Sequence, residues 1–121
     1  MNAFHSSSSD QGQYLGEAAG IVVRLEEGKT IYFAGDTCVF GDMALIARLH
    51  APLDVAVLPI GDWFTMGPAE AALALELLGN PRCVPSHFGT FPILTGTVDE
   101  LAAAAPAATI ERLQPGDTIE L

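Results

Sequence analysis

The sequence predicts an α/β fold, in which helices are layered on a sheet. Segments with strand character alternate with segments of helical periodicity through most of the chain. Three of the predicted strands end beside a glycine in a polar side chain, namely Asp36, Asp62 and His87. The chain has 121 residues, of which 50% are hydrophobic, and this is enough for one domain with its own core. We therefore expect a single domain over residues 1–121.

A β-hairpin is predicted in the first third of the chain. Gly20–Leu25 is rich in β-branched residues, and Glu26–Lys29 has the composition of a turn. Thr30–Ala34 is then the returning strand. The segment before this hairpin, residues 1–14, is polar and serine-rich. It is interpreted as a floppy terminus or as a loop that has lost its neighbouring strand.

The rest of the chain is predicted to alternate between helices and strands. Leu53–Ile60 is a continuous apolar run, which is typical of a strand covered on both faces. Thr97 and Glu100 have the spacing of a capping box at the start of a helix. The predicted elements are helix Gly41–His50, strand Leu53–Ile60, helix Pro68–Leu78, strand Arg82–Ser86, helix Thr97–Ala105 and a closing hairpin over residues 109–121.

Charge and composition exclude several classes of partner. The formal net charge is −10 and the chain has only five Lys and Arg residues, whereas a protein that follows nucleic-acid phosphates needs a basic surface. We therefore expect no nucleic acid among its partners. No apolar run reaches membrane-spanning length, so no membrane is expected either. Cys38 and Cys83 are too few and too far apart for a disulfide framework, which favours a reducing cytoplasm.

Asp36, Asp62 and His87 are the first candidates for chemistry, because side chains at the ends of neighbouring strands converge on one rim of a sheet. Each also has a structural explanation. Asp36 can cap the turn that follows it, and Asp62 can cap the entry to the helix at Pro68. His87 can be a hydrogen-bonded packing residue, and His5 carries a weaker signal because it lies in the segment interpreted as floppy. Imidazole and carboxylate together are ligands that zinc, manganese and iron accept, but the long spacing matches no local metal motif.

Four stretches carry a more specific signal: Ala3–Ser7, Ile31–Thr37 with Phe40–Met43, Leu58–Asp62 with Phe64–Pro68, and Pro85–Pro92. In their order and residues they resemble the metallo-β-lactamase superfamily, in the branch of metal-dependent hydrolases near the L-ascorbate-6-phosphate lactonases. The resemblance covers essentially the whole chain. It implies half of an αββα sandwich, with one mixed sheet and flanking helices, and a two-metal site along the rim of the sheet.

The resemblance also implies roles for individual residues. His5 and His87 would each ligate one metal, and Asp36 would bridge both metals and act as the catalytic residue. Three further residues would support the ligands or line the substrate loop: Thr37, Asp62 and Thr90. The implied cofactor is a divalent metal, zinc before manganese or iron. The implied substrate is a small molecule whose ester, lactone or phosphoester bond is attacked by hydroxide held between the metals.

One element of the superfamily pattern is absent from the sequence. The motif H-x-H-x-D-H, which supplies the principal metal ligands, would precede residue 1. The chain therefore corresponds to a C-terminal half, with too few ligands at each metal, so we expect metal to be weakly bound or absent and the isolated chain to be inactive. An exposed apolar sheet face is also expected, and with it a homo-oligomer. Two alternatives are a non-catalytic α/β interaction module and one subunit of a split two-chain enzyme.

Overall fold

The computed structural model describes the backbone of residues 2–121 and the side chains from His5 onward. Within that range six strands and three helices follow one another. They are β1 (Asn2–Ser8), β2 (Tyr14–Ala19), β3 (Ile21–Arg24), β4 (Thr30–Phe33), α1 (Met43–His50), β5 (Val55–Pro59), α2 (Pro68–Leu77), β6 (Arg82–Ser86) and α3 (Val98–Ala104). A search of these helices finds none with the length and apolar character that crossing a membrane requires.

Four strands form the main sheet, in the order β3-β4-β5-β6. β3 and β4 are the antiparallel hairpin predicted from the sequence. β4, β5 and β6 run parallel to one another, because the connections through α1 and α2 return the chain to the same end of the sheet. The mixed sheet with flanking helices is therefore confirmed, and the carboxyl ends of the three parallel strands lie along one rim.

The helices cover one face of this sheet. Tyr32 pairs with Ala56, and Ala56 pairs with Cys83, so these three side chains point to the same face. All three are fully buried, and they share a hydrophobic core with Met43 of α1 and Leu75 of α2. Removal of this apolar surface from water is the main term that stabilises the fold.

The opposite face of the sheet is largely uncovered. The register pairs Ile21 with Phe33 and Phe33 with Val57, and the next strand continues the row with Val84. We call these four side chains the open sheet face. Ile21 is 60% exposed and Phe33 is 41% exposed, and the core cluster of the described residues contains no member of the row. The expected exposed apolar patch is therefore present on this face.

The sequence interpretation was wrong for the N-terminal segment. β1 and β2 form a separate two-stranded antiparallel sheet, in which Ser6 pairs with Glu17 and Ser7 with Gly16. The register shifts twice along this pair. The serines in this pairing offer little apolar surface, so the sequence gives no hydrophobic signal for the strand there. A pattern based on hydrophobic alternation could not detect such a strand.

The predicted closing hairpin is also wrong. Within the described chain after Ala105, the only strand-like pairing is an isolated parallel bridge between Cys83 and Ile110. The Cys83 N–H donates to the Thr109 carbonyl at 2.8 Å, and the Glu111 N–H donates to the Cys83 carbonyl at 2.8 Å. The Thr109 carbonyl and the Glu111 N–H thus pair with the outer edge of β6. They are therefore not free to pair with residues 118–121.

The capping box at the start of α3 is confirmed. Thr97 Oγ1 accepts from the Glu100 N–H at 3.2 Å, and Glu100 Oε2 accepts from the Thr97 N–H at 3.0 Å. We expect Thr97→Ala to lower the free energy of unfolding by about 0.5–2 kcal/mol, because it leaves a helix N–H without its partner. Urea denaturation measures this change. Thr118→Ala, at an exposed position, is the control, and equal losses in the two variants would contradict the capping role.

Candidate metal centre

Three predicted site residues follow the parallel strands. Asp36 comes after β4, Asp62 after β5 and His87 directly after β6. Because these strands are parallel neighbours, all three residues lie at the same rim of the sheet. The convergence expected from the sequence is thus a consequence of the observed topology.

Two glycines allow the rim loops to approach each other. A Cβ atom on Gly61 would lie 2.0 Å from the His87 carbonyl oxygen, and one on Gly96 would lie 1.8 Å from the Ile60 carbonyl oxygen. Real Cβ atoms do not come so close, so only glycine fits at either position. The loop after β5 therefore lies directly against the backbone of His87.

His87 and Asp36 form the most informative pair at this rim. His87 Nε2 lies 3.9 Å from Asp36 Oδ1, with the side chains 30% and 51% exposed. This distance is too long for a hydrogen bond. Two ligand atoms of a tetrahedral zinc ion, each about 2 Å from the metal, are roughly 3.3 Å apart, so a shift of about half an ångström would bring both atoms onto one ion. The two side chains are therefore candidates for ligands of one metal ion.

The backbone at both positions is specialised. His87 has φ 53°, a left-handed conformation that a residue with a side chain adopts only when its surroundings hold it there. Gly35, directly before Asp36, has φ 67°. The turn at Gly35 and the left-handed backbone at His87 thus both lie at the pair formed by His87 and Asp36, and unusual backbone conformations of residues other than glycine cluster at functional sites.

One nitrogen of His87 lacks a partner. Nδ1 is buried and finds no hydrogen bond among the described residues. A metal-ligating histidine normally donates its second ring N–H to an acceptor, which fixes the orientation of the ring. Among the described residues, which include side chains from His5 onward, no group serves as this acceptor.

Thr37 and Asp62 mainly hold the neighbouring loops. The buried Thr37 hydroxyl donates to the Cys38 carbonyl at 2.8 Å, and the Thr37 carbonyl accepts from the Met66 N–H at 3.2 Å. Asp62 has φ 71°, and its carboxylate accepts from the Trp63 N–H at 2.8 Å. Both residues thus shape the segment from Asp62 to Met66.

His5 is not brought into a three-ligand cluster. It lies on β1, and a search of the described residues finds no group of three His, Cys, Asp or Glu side chains able to hold a metal ion. His5 therefore stays a candidate ligand, with no complete metal site around it among the described residues.

Thr90 lines a cavity beside His87 of about 430 Å³. Part of its wall comes from Leu113, Gln114 and Pro115. Sequence reasoning missed these residues because it placed them in a hairpin. Leu113 carries no pattern of its own that could have indicated a site.

Cys83 lies in β6 and belongs to the buried core. It is fully buried, and burial raises the pKa of its thiol to about 12. The thiolate needed for metal binding or attack is therefore absent at neutral pH. The sequence-based interpretation of Cys83 as a core residue is consistent with this.

Comparison with solved structures places this arrangement among known folds. A metallo hydrolase named Igni18, from the archaeon Ignicoccus hospitalis, superimposes with a TM-score of 0.82 at 35% identity, over 97% of this chain and 49% of that one. An isothiocyanate hydrolase from Delia radicum gut bacteria superimposes with a TM-score of 0.63 at 25% identity, over 80% of this chain and 43% of that one.

Sequence comparison leads to the same group. A relative from Thermococcus kodakarensis, named UPF0173 metal-dependent hydrolase, is 49% identical over 98% of this chain and 53% of its own length. One from Herpetosiphon aurantiacus with the same name is 44% identical over 95% of this chain and 50% of its own length. The chain thus spans about half the length of these relatives. Residues 1–88 match the family described as the β-lactamase superfamily domain, and the chain therefore belongs to the metallo-β-lactamase superfamily.

Proposed function

We propose that this chain is the C-terminal half of a metal-dependent hydrolase that cleaves an ester, lactone or phosphoester bond. The observation that carries the proposal is the pair His87 Nε2 and Asp36 Oδ1, 3.9 Å apart at the rim of the parallel strands. Relatives named as metal-dependent hydrolases support it. When bound, divalent metal ions would polarise the scissile bond and activate water for the attack.

The residues of this chain would position the ions and the substrate. His87 would hold one ion through Nε2, and Asp36, with two carboxylate oxygens, would reach both ions. His5 on β1 would contribute to the second ion once the remaining ligands are in place. Thr37 and Asp62 would fix the loops around them, while Thr90 would line the space next to His87. Zinc suits this set of ligands, and manganese and iron are accepted by the same groups.

The other half would complete both the sheet and the site. The open sheet face needs an apolar partner layer, and the buried Nδ1 of His87 needs an acceptor. Since the relatives are about twice as long, an upstream half carrying H-x-H-x-D-H can supply both. That half would be joined in the same chain or encoded as a separate subunit. We place the assembled enzyme in the cytoplasm and assign it a small-molecule substrate.

One observation favours a second candidate, a non-catalytic α/β interaction module. No three-ligand group exists among the residues that the structure describes. Such a module would use the open sheet face to bind a second copy of the chain. Equilibrium dialysis of the 121-residue chain with zinc separates the two: tight stoichiometric binding that is lost in His87→Ala excludes the module.

The proposal is tested with the completed protein, meaning this chain combined with the N-terminal half of the Thermococcus kodakarensis relative. Asp36→Ala is expected to reduce bound metal and to lower kcat by at least about a hundredfold, because the carboxylate shared by the ions is removed. Metal analysis and assays with p-nitrophenyl butyrate and p-nitrophenyl phosphate measure the two effects.

The matched control is Asp42→Ala. Asp42 is exposed and makes no side-chain capping bond to α1, so metal content and turnover should stay unchanged. If Asp36→Ala leaves both metal content and hydrolysis intact, the bridging role is wrong.

A further inference from the structure

The C-terminal segment forms one wall of the cavity beside His87. Residues 112–119, which we call the strap, contribute Leu113, Gln114 and Pro115 to this wall. The rest of the lining comes from β6 and the loop after it, and it includes His87. The strap contains neither a helix nor a strand. The cavity therefore has one wall that belongs to the sheet and its loop and one wall of irregular backbone.

Few contacts attach the strap to the rest of the protein. Most of it is exposed, none of it is fully buried, and the core cluster of the described chain includes no strap residue. The Gln114 N–H donates to Asp117 Oδ2 at 2.8 Å, and the Asp117 N–H donates to the Gln114 carbonyl at 2.9 Å. These bonds close a turn within the strap and do not tie it to the sheet. A segment with so little buried surface opens at a lower free energy than the core does.

One guanidinium holds the two residues that flank the strap. Arg82 of β6 pairs through Nε with the carboxylate of Glu111, and its Nη1 donates to the Glu120 carbonyl at 2.6 Å. We call these two contacts the clasp. The side chains of Arg82 and Glu111 are 33% and 19% exposed, so water and salt screen this pair less than a surface pair. The fork of a planar guanidinium suits such a role, because its N–H groups point in fixed and different directions.

The two ends of the strap are attached unequally. At the first end, the Glu111 N–H also donates to the Cys83 carbonyl at 2.8 Å, so backbone pairing keeps this end on β6. At the second end, the bond from Arg82 to the Glu120 carbonyl is the hydrogen bond by which the described structure ties residues 118–121 to the sheet. Loss of the clasp would therefore release the second end and let the strap swing about the first.

A second arginine forms an ion pair from within the strap. Arg112 Nη1 donates to Asp99 Oδ1 of α3 at 2.6 Å. The two side chains are 59% and 83% exposed, and ion pairs with this exposure contribute little to stability. Arg112 thus offers a matched comparison for Arg82, since both are arginines with a carboxylate partner and only Arg82 holds both flanks of the strap.

We propose that the strap is a gate on the cavity beside His87 and that the clasp made by Arg82 keeps it closed. Opening breaks the pair with Glu111 and the bond to Glu120, and it admits solvent and small molecules to the wall that contains His87. The opening is a property of this chain, while its control of access to a metal centre rests on the proposed function.

The experiment measures solvent access to the cavity in the 121-residue chain, free of metal, with the soluble nitroxide TEMPOL. TEMPOL is uncharged, so the net charge of −10 does not repel it. Arg82→Gln is expected to increase the relaxation that TEMPOL causes at the Phe88 ring and the Leu113 methyl groups. Hydrogen exchange of the Glu111 amide should become roughly tenfold faster, because a hydrogen bond to a charged group is lost at the base of the strap. Signals of Leu58 and Leu75 in the core report whether the fold stays intact.

Arg112→Gln is the matched control and should leave both readouts unchanged. Glu111→Gln keeps the shape of the side chain and removes its charge, so it should produce a smaller increase in the same direction. This variant decides the matter if Arg82→Gln perturbs the core signals.

The gate is refuted if Arg82→Gln and Glu111→Gln leave TEMPOL access and amide exchange unchanged, or if Arg112→Gln raises them as much as Arg82→Gln does. Neither readout needs metal or turnover. Loss of metal binding and hydrolysis in the completed protein would therefore refute the proposed function and leave the result on the gate standing.

Discussion

Replacing Gly61 with alanine is expected to lower the free energy of unfolding by roughly 3 kcal/mol or more. The added Cβ would meet the His87 carbonyl oxygen at 2.0 Å, and that atom belongs to the backbone, so it cannot rotate away. The methyl group must push apart the loops that follow β5 and β6. We expect the same shift to lengthen the distance between His87 and Asp36, so metal binding should weaken along with stability. Urea denaturation and metal analysis of the completed protein measure the two effects.

Gly41→Ala is the matched control for this variant. A Cβ on Gly41 meets no atom within 4 Å, and the glycine needs no positive φ. Its replacement should change the free energy of unfolding by no more than about 0.5 kcal/mol. If Gly61→Ala changes the free energy of unfolding as little as Gly41→Ala does, the loops after β5 and β6 are not in direct contact, which would contradict the structure.

The parts of the fold with strong local patterns could be predicted from the sequence. The strand Val55–Pro59 is apolar throughout because it lies in the middle of the sheet, and its pattern is correspondingly clear. The capping box at Thr97 uses two side chains within one helical turn, so spacing alone reveals it. These elements depend on contacts that are close in sequence or on burial that is nearly complete.

The elements that were missed depend on long-range backbone pairing. β1 ends in three serines, Ser6–Ser8, which pair with residues of β2, and this polar segment has no apolar alternation of the kind that marks a half-buried strand. Thr109 and Glu111 pair with Cys83, which lies more than twenty residues earlier. Hydrophobic periodicity carries no information on which distant edge a polar segment will meet.

The candidate site likewise has parts that could be predicted from the sequence and parts that could not. Asp36 and His87 could be predicted to converge because both lie just beyond strands whose parallel arrangement the alternation of elements implies. The contribution of Leu113 and Gln114 to the cavity could not be predicted, because it follows from the pairing of the C-terminal segment with the edge of β6. The left-handed backbone of His87 was equally hidden, because histidine adopts this conformation more often than most residues but does not require it.

Phe33→Lys is expected to have very different effects in the isolated chain and in the completed protein. In the isolated chain Phe33 lies on the open sheet face and is 41% exposed, so the lysine can extend into water and the free energy of unfolding should change by less than about 1 kcal/mol. In the completed protein the proposed second sheet would cover this position. A lysine buried there without a partner should cost about 3 kcal/mol or more.

Thermal and urea denaturation of both forms measure this contrast, with Leu49→Lys as the control. Leu49 is 68% exposed on α1, on the helical side of the sheet, so its replacement should change the free energy of unfolding little in both forms.

Sedimentation of the isolated chain tests whether copies of the chain associate through the open sheet face. If copies of the chain cover the open face, Phe33→Lys should convert the oligomer to a monomer. Equal, small effects of Phe33→Lys in both forms would mean that the upstream half does not pack on this face, and the half-sandwich interpretation would then be wrong.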